Sequence, residues 1–448
     1  ITHTPVQKRE EDFVGILWFL SSIYEEEEKM AIDPRQILGG ILTFTMFAML
    51  GNMVKRDHFD NPIIYQGRVT EFQAVEFDKV EVTKQSLVSV SRNGPWQEAG
   101  NELKQCWTRP DSVEHSKGFI TFSLTNGPEY HVSQIADAVA IARYLGAKLV
   151  LPDIRGSKIG DSRDFGEIYD VEKFVESLNG VVKVVKEKPS EISKFAVIRV
   201  PNMVTQDFIA ENIKPLFKAK GNIRLATYFP SVNMKKKKEK NALDSVSCLA
   251  MFGSLELQPE VREVVDSMVD KLRTLSRKSD GQFIAVDLRM EILEKTNCQG
   301  LSGEKSCFYP QDIGSFLRNV GFNTDTTIYV TQRKWHKSLD ALKEIFPRTY
   351  TKDSIIPAEK KAKFLSSESL ELEKAIDFHI CSESDVFVPS ISGLFYANVA
   401  GKRIAAGKTQ ILVPTERDTS SPTTNFISSY ISKKDHFVHS CYCEVGAR

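Results

Sequence analysis

From Phe119 to Asp153 the spacing of apolar residues changes from one period to another and back. Ile120, Phe122 and Leu124 alternate with Thr121, Ser123 and Thr125, the two-residue period of a strand with one buried face. Val132, Ile135, Ala136, Val139, Ala140 and Ile141 then keep the helical spacing of about 3.6 residues. Lys148 to Leu151, closed by Pro152, reads as a returning strand, so the stretch predicts one complete βαβ unit. Gly127 supplies a permissive backbone at its turn, and Pro128 suits a first helical position, where the missing N–H removes no hydrogen bond.

The alternation continues downstream. Strands are expected at 181–185, 195–200 and 223–228, with helices at 171–178 and 206–218. A long amphipathic helix from Gln258 leads into a second series: a strand at 282–288, a helix at 315–320, a strand at 327–330 and a helix at 339–345. Helix, acidic turn and strand then fill 375–389, a helix opens at Gly393, and a last strand returns at 409–413. Such alternation predicts mostly parallel sheets. The chain has 448 residues, whereas a single core stops growing near ~250 to 300 residues. The expected fold class is therefore α/β, with two Rossmann-like domains, 118–255 and 256–414, facing one another across a cleft.

Residues 1–29 show no sustained period and are expected to be an unstructured leader, whose membership of the native protein stays open. Within 30–56, Ile37 to Val54 carries no charge and is flanked by Arg35, Lys55 and Arg56. At ~1.5 Å per residue that run reaches roughly 27 Å, enough for a thin bilayer. A short cytosolic tail and a transmembrane signal-anchor are the first reading; a cleaved signal peptide and a buried core helix are the others. Polar and aromatic residues mix through 57–117, expected as a stem, and 415–448 is expected as a tail.

Lysine plus arginine balances aspartate plus glutamate at 59 each, so no global field recruits nucleic acid. The charge run at 234–240, MKKKKEK, reads as a solvated loop, with phosphate binding as the alternative. The seven cysteines include no CxxC pair and meet no histidine cluster at zinc spacing, so no metal is expected. Cys298 and Cys307 bracket a polar loop and either close a small disulfide or remain two thiols. The absence of GxGxxG, P-loop, GxSxG and HExxH patterns argues against dinucleotide oxidoreductases, NTPases, serine hydrolases and zinc proteases.

Candidate chemistry follows from where strands end. In open α/β sheets ligands gather at the carboxyl ends of strands, which singles out 125–131 with Asn126, Gly127, Glu129 and His131. Arg289 leaves an otherwise apolar strand at that edge, placed to grip a phosphate bidentately, or else to pair with Asp287 or Glu291. Glu291 also offers a general base or a partner for a ribose hydroxyl. The third cluster, ESDVFVPSISGLFYANVAGKR, has a Ser-Gly turn (Ser390, Ser392, Gly393) suited to a second phosphate, and a helix ending at Lys402 and Arg403. Two α/β domains with phosphate-gripping strand ends suit a nucleotide-sugar enzyme.

At these clusters the chain resembles the plant O-fucosyltransferase-like glycosyltransferases, most closely the mannan-synthesis-related branch, over roughly 30–414. The most specific segments are LTNGPEYHVSQIADAVAIARYLGAKLVLPDIRGSK, IAVDLRMEILEKTNCQG, TTIYVTQ and IDFHICSESDVFVPSISGLFYANVAGKR. The resemblance implies a single-pass type II Golgi membrane protein with a GT-B-like lumenal part, acting on plant cell-wall polysaccharide. It implies a GDP-sugar donor, GDP-fucose or GDP-mannose, used with inversion and without a metal or other cofactor. Where many relatives open the first turn with Gly-Gly-Leu-Asn-Gln, this chain has Asn126-Gly127-Pro128-Glu129-Tyr130; their His-x-Arg is Asp287-Leu288-Arg289, and their Gly-His-Arg is Gly401-Lys402-Arg403. Ser384, Asp385 and Phe387 stand as in the relatives. Arg289 is thus expected on the donor diphosphate, with Glu129, or else Glu291, as the base that activates a glycan acceptor. The alternative is a non-catalytic partner of a mannan synthase that binds GDP-sugar or glycan in the same cleft.

Overall fold

The computed structural model describes residues 94–96, 103–111, 118–156, 160–187, 195–236, 242–294, 307–366, 369–414 and 423–444. All of them fall in the unit Ile64–Arg448. The expected anchor at 30–56, the leader at 1–29 and Cys298 lie outside the described residues, although Cys307 is disulfide-bonded. Among the described residues no helix is long and apolar enough to cross a membrane.

The N-terminal half runs β1 (Leu103–Gln105), β2 (Phe119–Leu124), α1 (Pro128–Leu145), β3 (Lys148–Val150), β4 (Asp153–Arg155), β5 (Ser162–Arg163), α2 (Val171–Leu178), β6 (Val184–Val185), β7 (Ala196–Pro201), α3 (Lys214–Lys220), β8 (Asn222–Tyr228) and α4 (Asp244–Phe252). β2 is the centre of its sheet, parallel to β8 on one side and to β3 and β4 on the other. β7 flanks β8 and β6 flanks β3, both in parallel, while β5 runs antiparallel to β4. The βαβ unit therefore forms where the change of period places it, with Pro128 as the first helical residue. One departure is informative. α1 buries His131, Ser133, Gln134 and Asp137 as well as its apolar stripe, because α4 and two helices of the C-terminal half pack around it.

The C-terminal half runs α5 (Pro259–Leu275), β9 (Phe283–Asp287), α6 (Met290–Leu293), α7 (Pro310–Val320), β10 (Thr327–Val330), α8 (Asp340–Ile345), β11 (Thr349–Thr351), α9 (Lys352–Ile355), α10 (Leu370–Glu383), β12 (Val386–Pro389) and α11 (Leu394–Ala405). Its sheet, ordered β11-β10-β9-β12, is parallel throughout. Every residue of β9, β10 and β12 is buried, which is why these strands read as unbroken apolar runs. Phe283 and Ala285 join the cluster that contains α1, whereas Ile284 and Val286 face a second cluster with α7. The helix expected at 315–320 begins at Pro310, since proline takes the N1 position and Asp312 accepts from the Tyr309 N–H.

The stretch expected as a tail is built into the fold over 423–444. Its last strand, β13 (Tyr442–Glu444), pairs antiparallel with β1 from the expected stem. Disulfides Cys106–Cys443 and Cys248–Cys441 fix that return to β1 and α4.

Candidate functional site between the two sheets

At the carboxyl end of β2 the chain passes through Asn126 at φ +71° and Gly127 at φ +124° before entering α1. Glycine is needed there for φ, and a Cβ on it would lie 2.8 Å from Glu129 Oε2 and 2.8 Å from Lys374 Cδ, displacing both side chains. Two further groups hold the turn: Gln134 accepts from the Thr125 N–H at 3.1 Å and donates to the Thr125 hydroxyl at 2.9 Å. No phosphate cradle remains at this helix start. Pro128 has no N–H, the Glu129 N–H meets its own carboxylate, and the Tyr130 and His131 N–H groups both bond Gly127 O.

Glu129 is 5% exposed, and its Oε2 makes no hydrogen bond. Burial raises its pKa above the ordinary carboxylate value, against the opposing fields of Lys374 and then Arg289. Beneath it, His131 Nδ1 and the Tyr169 hydroxyl lie 2.8 Å apart. Burial, reinforced by Lys374, pushes His131 down to about 3, so it is neutral; Tyr169 is pushed up by burial and by Glu129.

From the other half, Arg289 follows β9. Its Nε and Nη2 donate to Asp287 Oδ1 and Oδ2 at 2.9 and 3.0 Å, and the guanidinium lies 4.8 Å from the centre of the Phe395 ring. Thr331 completes the support, donating to Asp287 Oδ1 and accepting from the Leu288 N–H. Burial opposes the charge on Arg289, but Asp287, Glu129 and Asp377 outweigh it and keep the side chain protonated. Two of the five N–H groups of an arginine fork are spent on Asp287, leaving the rest of the fork for an anion.

The structure therefore brings Glu129 and Arg289 within one another's field from opposite halves. Three residues the sequence did not single out make this possible. Lys374 of α10 donates to Asn126 O at 2.7 Å, and Asn398 of α11 donates to Glu129 O at 2.8 Å. Asp377, one turn along α10 from Lys374, is buried against Lys352 and the Tyr329 hydroxyl, each at 2.6 Å, and its field reaches Arg289. Burial raises the Asp377 pKa, with Lys352 working against the rise.

The remaining candidates take other positions. Asp287 is wholly buried as the counter-ion of Arg289 rather than facing a ligand. Glu291 is exposed on α6 and accepts from Gln332 at 2.8 Å. Ser390 is buried, with both its N–H and its hydroxyl on Asp287 O. Half-buried Ser392 and Gly393, at φ +148° with open space where a Cβ would be, precede α11 at the same edge as Arg289. Asp385 sits at the opposite edge, accepting from the Phe283 N–H at 2.9 Å and from Arg273 at 3.3 Å. Arg403 is fully buried and donates to the carbonyls of Cys381, Ser384, Asp385 and Gln410. Its charge ties α10, β12 and the segment after α11 together.

Residues 120–406 match the family described as GDP-fucose protein O-fucosyltransferase. Protein MANNAN SYNTHESIS-RELATED 1 of Arabidopsis thaliana is 56% identical over 424 residues, covering 92% of this chain and all of that protein. Protein MANNAN SYNTHESIS-RELATED of Trigonella foenum-graecum is 49% identical over 422 residues, with the same coverage of both. Among solved structures, POFUT1 in complex with GDP-fucose is similar at a TM-score of 0.43 and 14% identity, over 67% of this chain and 98% of that one.

Proposed function

The chain belongs to the GDP-fucose protein O-fucosyltransferase family, in its mannan-synthesis-related branch, and from that premise we propose that it is an inverting glycosyltransferase with a GDP-sugar donor. The acceptor is a plant cell-wall glycan of the mannan pathway, in keeping with the names its relatives carry. One observation carries this reading: a buried carboxylate with an unoccupied oxygen, Glu129, and a preorganised guanidinium, Arg289, act on one another from opposite halves.

Arg289 grips the donor diphosphate with the N–H groups that Asp287 does not use, and neutralises the charge that grows on the departing GDP. Ser392, Gly393 and the start of α11 line the same edge and meet a second phosphate oxygen. On the opposite face of the sugar, the acceptor hydroxyl attacks the anomeric carbon as the bond to GDP breaks, and Glu129 Oε2 takes the hydroxyl proton. Transfer thus inverts the anomeric centre, and charge neutralisation is given to Arg289 rather than to a metal. GDP-fucose and GDP-mannose are both retained as donors. We place the described part in the Golgi lumen behind a type II anchor; two disulfides between distant segments suit an oxidising compartment.

The experiment is calorimetry of the protein with GDP, GDP-fucose and GDP-mannose, followed by transfer assays on mannan acceptors. Binding of GDP that disappears in Arg289→Ala supports the site; equal binding by both removes it. One observation favours a second reading, an accessory partner of a mannan synthase: Arg289 is already clamped by Asp287, and α1 offers no N–H cradle. Co-purification with a synthase that Arg289→Ala stimulates as well as wild type does would support it.

A further inference from the structure

We propose that Lys374 is the positioning residue for Glu129, holding the turn of the base from the C-terminal half; the inference rests on reading Glu129 as that base. Lys374 spends its ammonium on Asn126 O at 2.7 Å, at the entrance to the turn that carries Glu129, and leaves Glu129 Oε2 without a hydrogen bond. Its stem meanwhile passes 2.8 Å from the point a Gly127 Cβ would take, the same distance as Glu129 Oε2. Asn398 holds the other end of the turn through Glu129 O. The turn is therefore gripped at two backbone carbonyls by side chains of the opposite half.

This arrangement meets two needs of a general base that usually conflict. A buried carboxylate without a cation has its pKa raised, and one in a direct ion pair gives acceptor sites to the cation. Lys374 holds the turn through Asn126 O and acts on the carboxylate through its field, so it limits the rise that burial imposes on the acid while an oxygen stays open. The charged and titratable groups facing Glu129 are Lys374 from α10, Arg289 and Asp287 from the end of β9, and Tyr169 from the N-terminal half. Lys374 also bears on His131, which stays neutral. Arg289 is assigned to the donor diphosphate, so Lys374 is the cation whose removal changes the base while leaving the donor site in place.

The test is an infrared titration of the protonated carboxyl band that Glu129→Gln removes from the spectrum of the full chain. In Lys374→Met the midpoint rises by about one unit or more, in line with removal of a nearby opposite charge. The acid limb of kcat moves with it while KM for the donor stays within about twofold, and Lys374→Arg returns both towards wild type. An unmoved midpoint in folded Lys374→Met, or a fall in donor affinity with an unmoved acid limb, overturns the proposal. Failure of the transferase reading registers separately, as a wild-type protein that binds no GDP in the calorimeter.

Discussion

The guanidinium of Arg289 closes on both oxygens of Asp287, two residues back along the same chain, at 2.9 and 3.0 Å. Neither partner is dispensable alone. Asp287 is wholly buried, and breaking a buried pair from one side costs about 3 to 5 kcal/mol because the survivor keeps an uncompensated charge. Asp287→Ala and Arg289→Met should each lower the urea-unfolding free energy by about that amount. The double substitution should recover a large part of the loss, a coupling that a double-mutant cycle measures directly. Additive losses would mean that the pair contributes nothing beyond its separate packing.

Glu129→Gln keeps the shape of the turn, including the Asn398 bond to the Glu129 carbonyl, and removes the proton acceptor. GDP affinity should remain within about threefold of wild type while kcat falls by about 100-fold to 10,000-fold, the usual worth of a positioned base. A parallel loss of GDP affinity in calorimetry would show instead that Glu129 shapes the donor site.

Buried histidines set the acid stability. His131 and His436 are each held near about 3 by burial, and His379 well below its usual value by burial and then by Lys402 and Arg262. A histidine with a depressed pKa contributes stability that is present above its ordinary value of about 6.5 and lost as pH falls from there towards about 3. At pH 5 His131 and His436 should each have cost about 2 kcal/mol relative to pH 7. The raised carboxyls of Glu129 and Asp377 act in the opposite sense, because the folded state binds their protons more tightly. The contrast between wild type and His131→Asn isolates the histidine: the variant should have a shallower fall in unfolding free energy between pH 6.5 and pH 4. Equal slopes would mean that His131 takes up no proton on unfolding.

Disulfides Cys106–Cys443 and Cys248–Cys441 close long loops, joining positions 337 and 193 residues apart. Cys248→Ser with Cys441→Ser should cost about 2 to 5 kcal/mol, and reductant should lower the melting temperature of wild type towards that of the variant. An unchanged melting temperature in reductant would place the stability of β13 in its strand pairing with β1 alone.

How much of this was legible in the sequence depends on the distance over which each feature is determined. The β2-α1-β3 unit follows from local periodicity and from Pro128 at the helix start, and the apolar run of β9 announces a strand buried on both faces. β11, with the sequence Thr349-Tyr350-Thr351, has no such run, and β13 depends on pairing with β1 across the length of the chain. Within the site, Arg289 was visible because it ends an apolar strand. Lys374 and Asn398 were not, since they meet their partners 248 and 269 residues away and each sits on a helix that looks ordinary by itself. Asp385 and Ser390 show the converse. They are neighbours in one motif, yet β12 lies between them, and at about 3.3 Å per residue that strand carries them to opposite edges of the sheet. Arg403 closes its motif with a charge that suits a substrate ligand, but its helix faces the core, and carbonyls satisfy its guanidinium instead.

The pairing of Glu129 with Arg289 across the two halves is tested most directly by single-turnover transfer from GDP-fucose and GDP-mannose to mannan oligosaccharides, run beside GDP calorimetry on the same preparations. Wild type should bind GDP and transfer one of the two sugars with inversion; Arg289→Ala should lose both binding and transfer, and Glu129→Gln should lose transfer alone. Transfer at the wild-type rate by Glu129→Gln, or GDP binding untouched in Arg289→Ala, would contradict it.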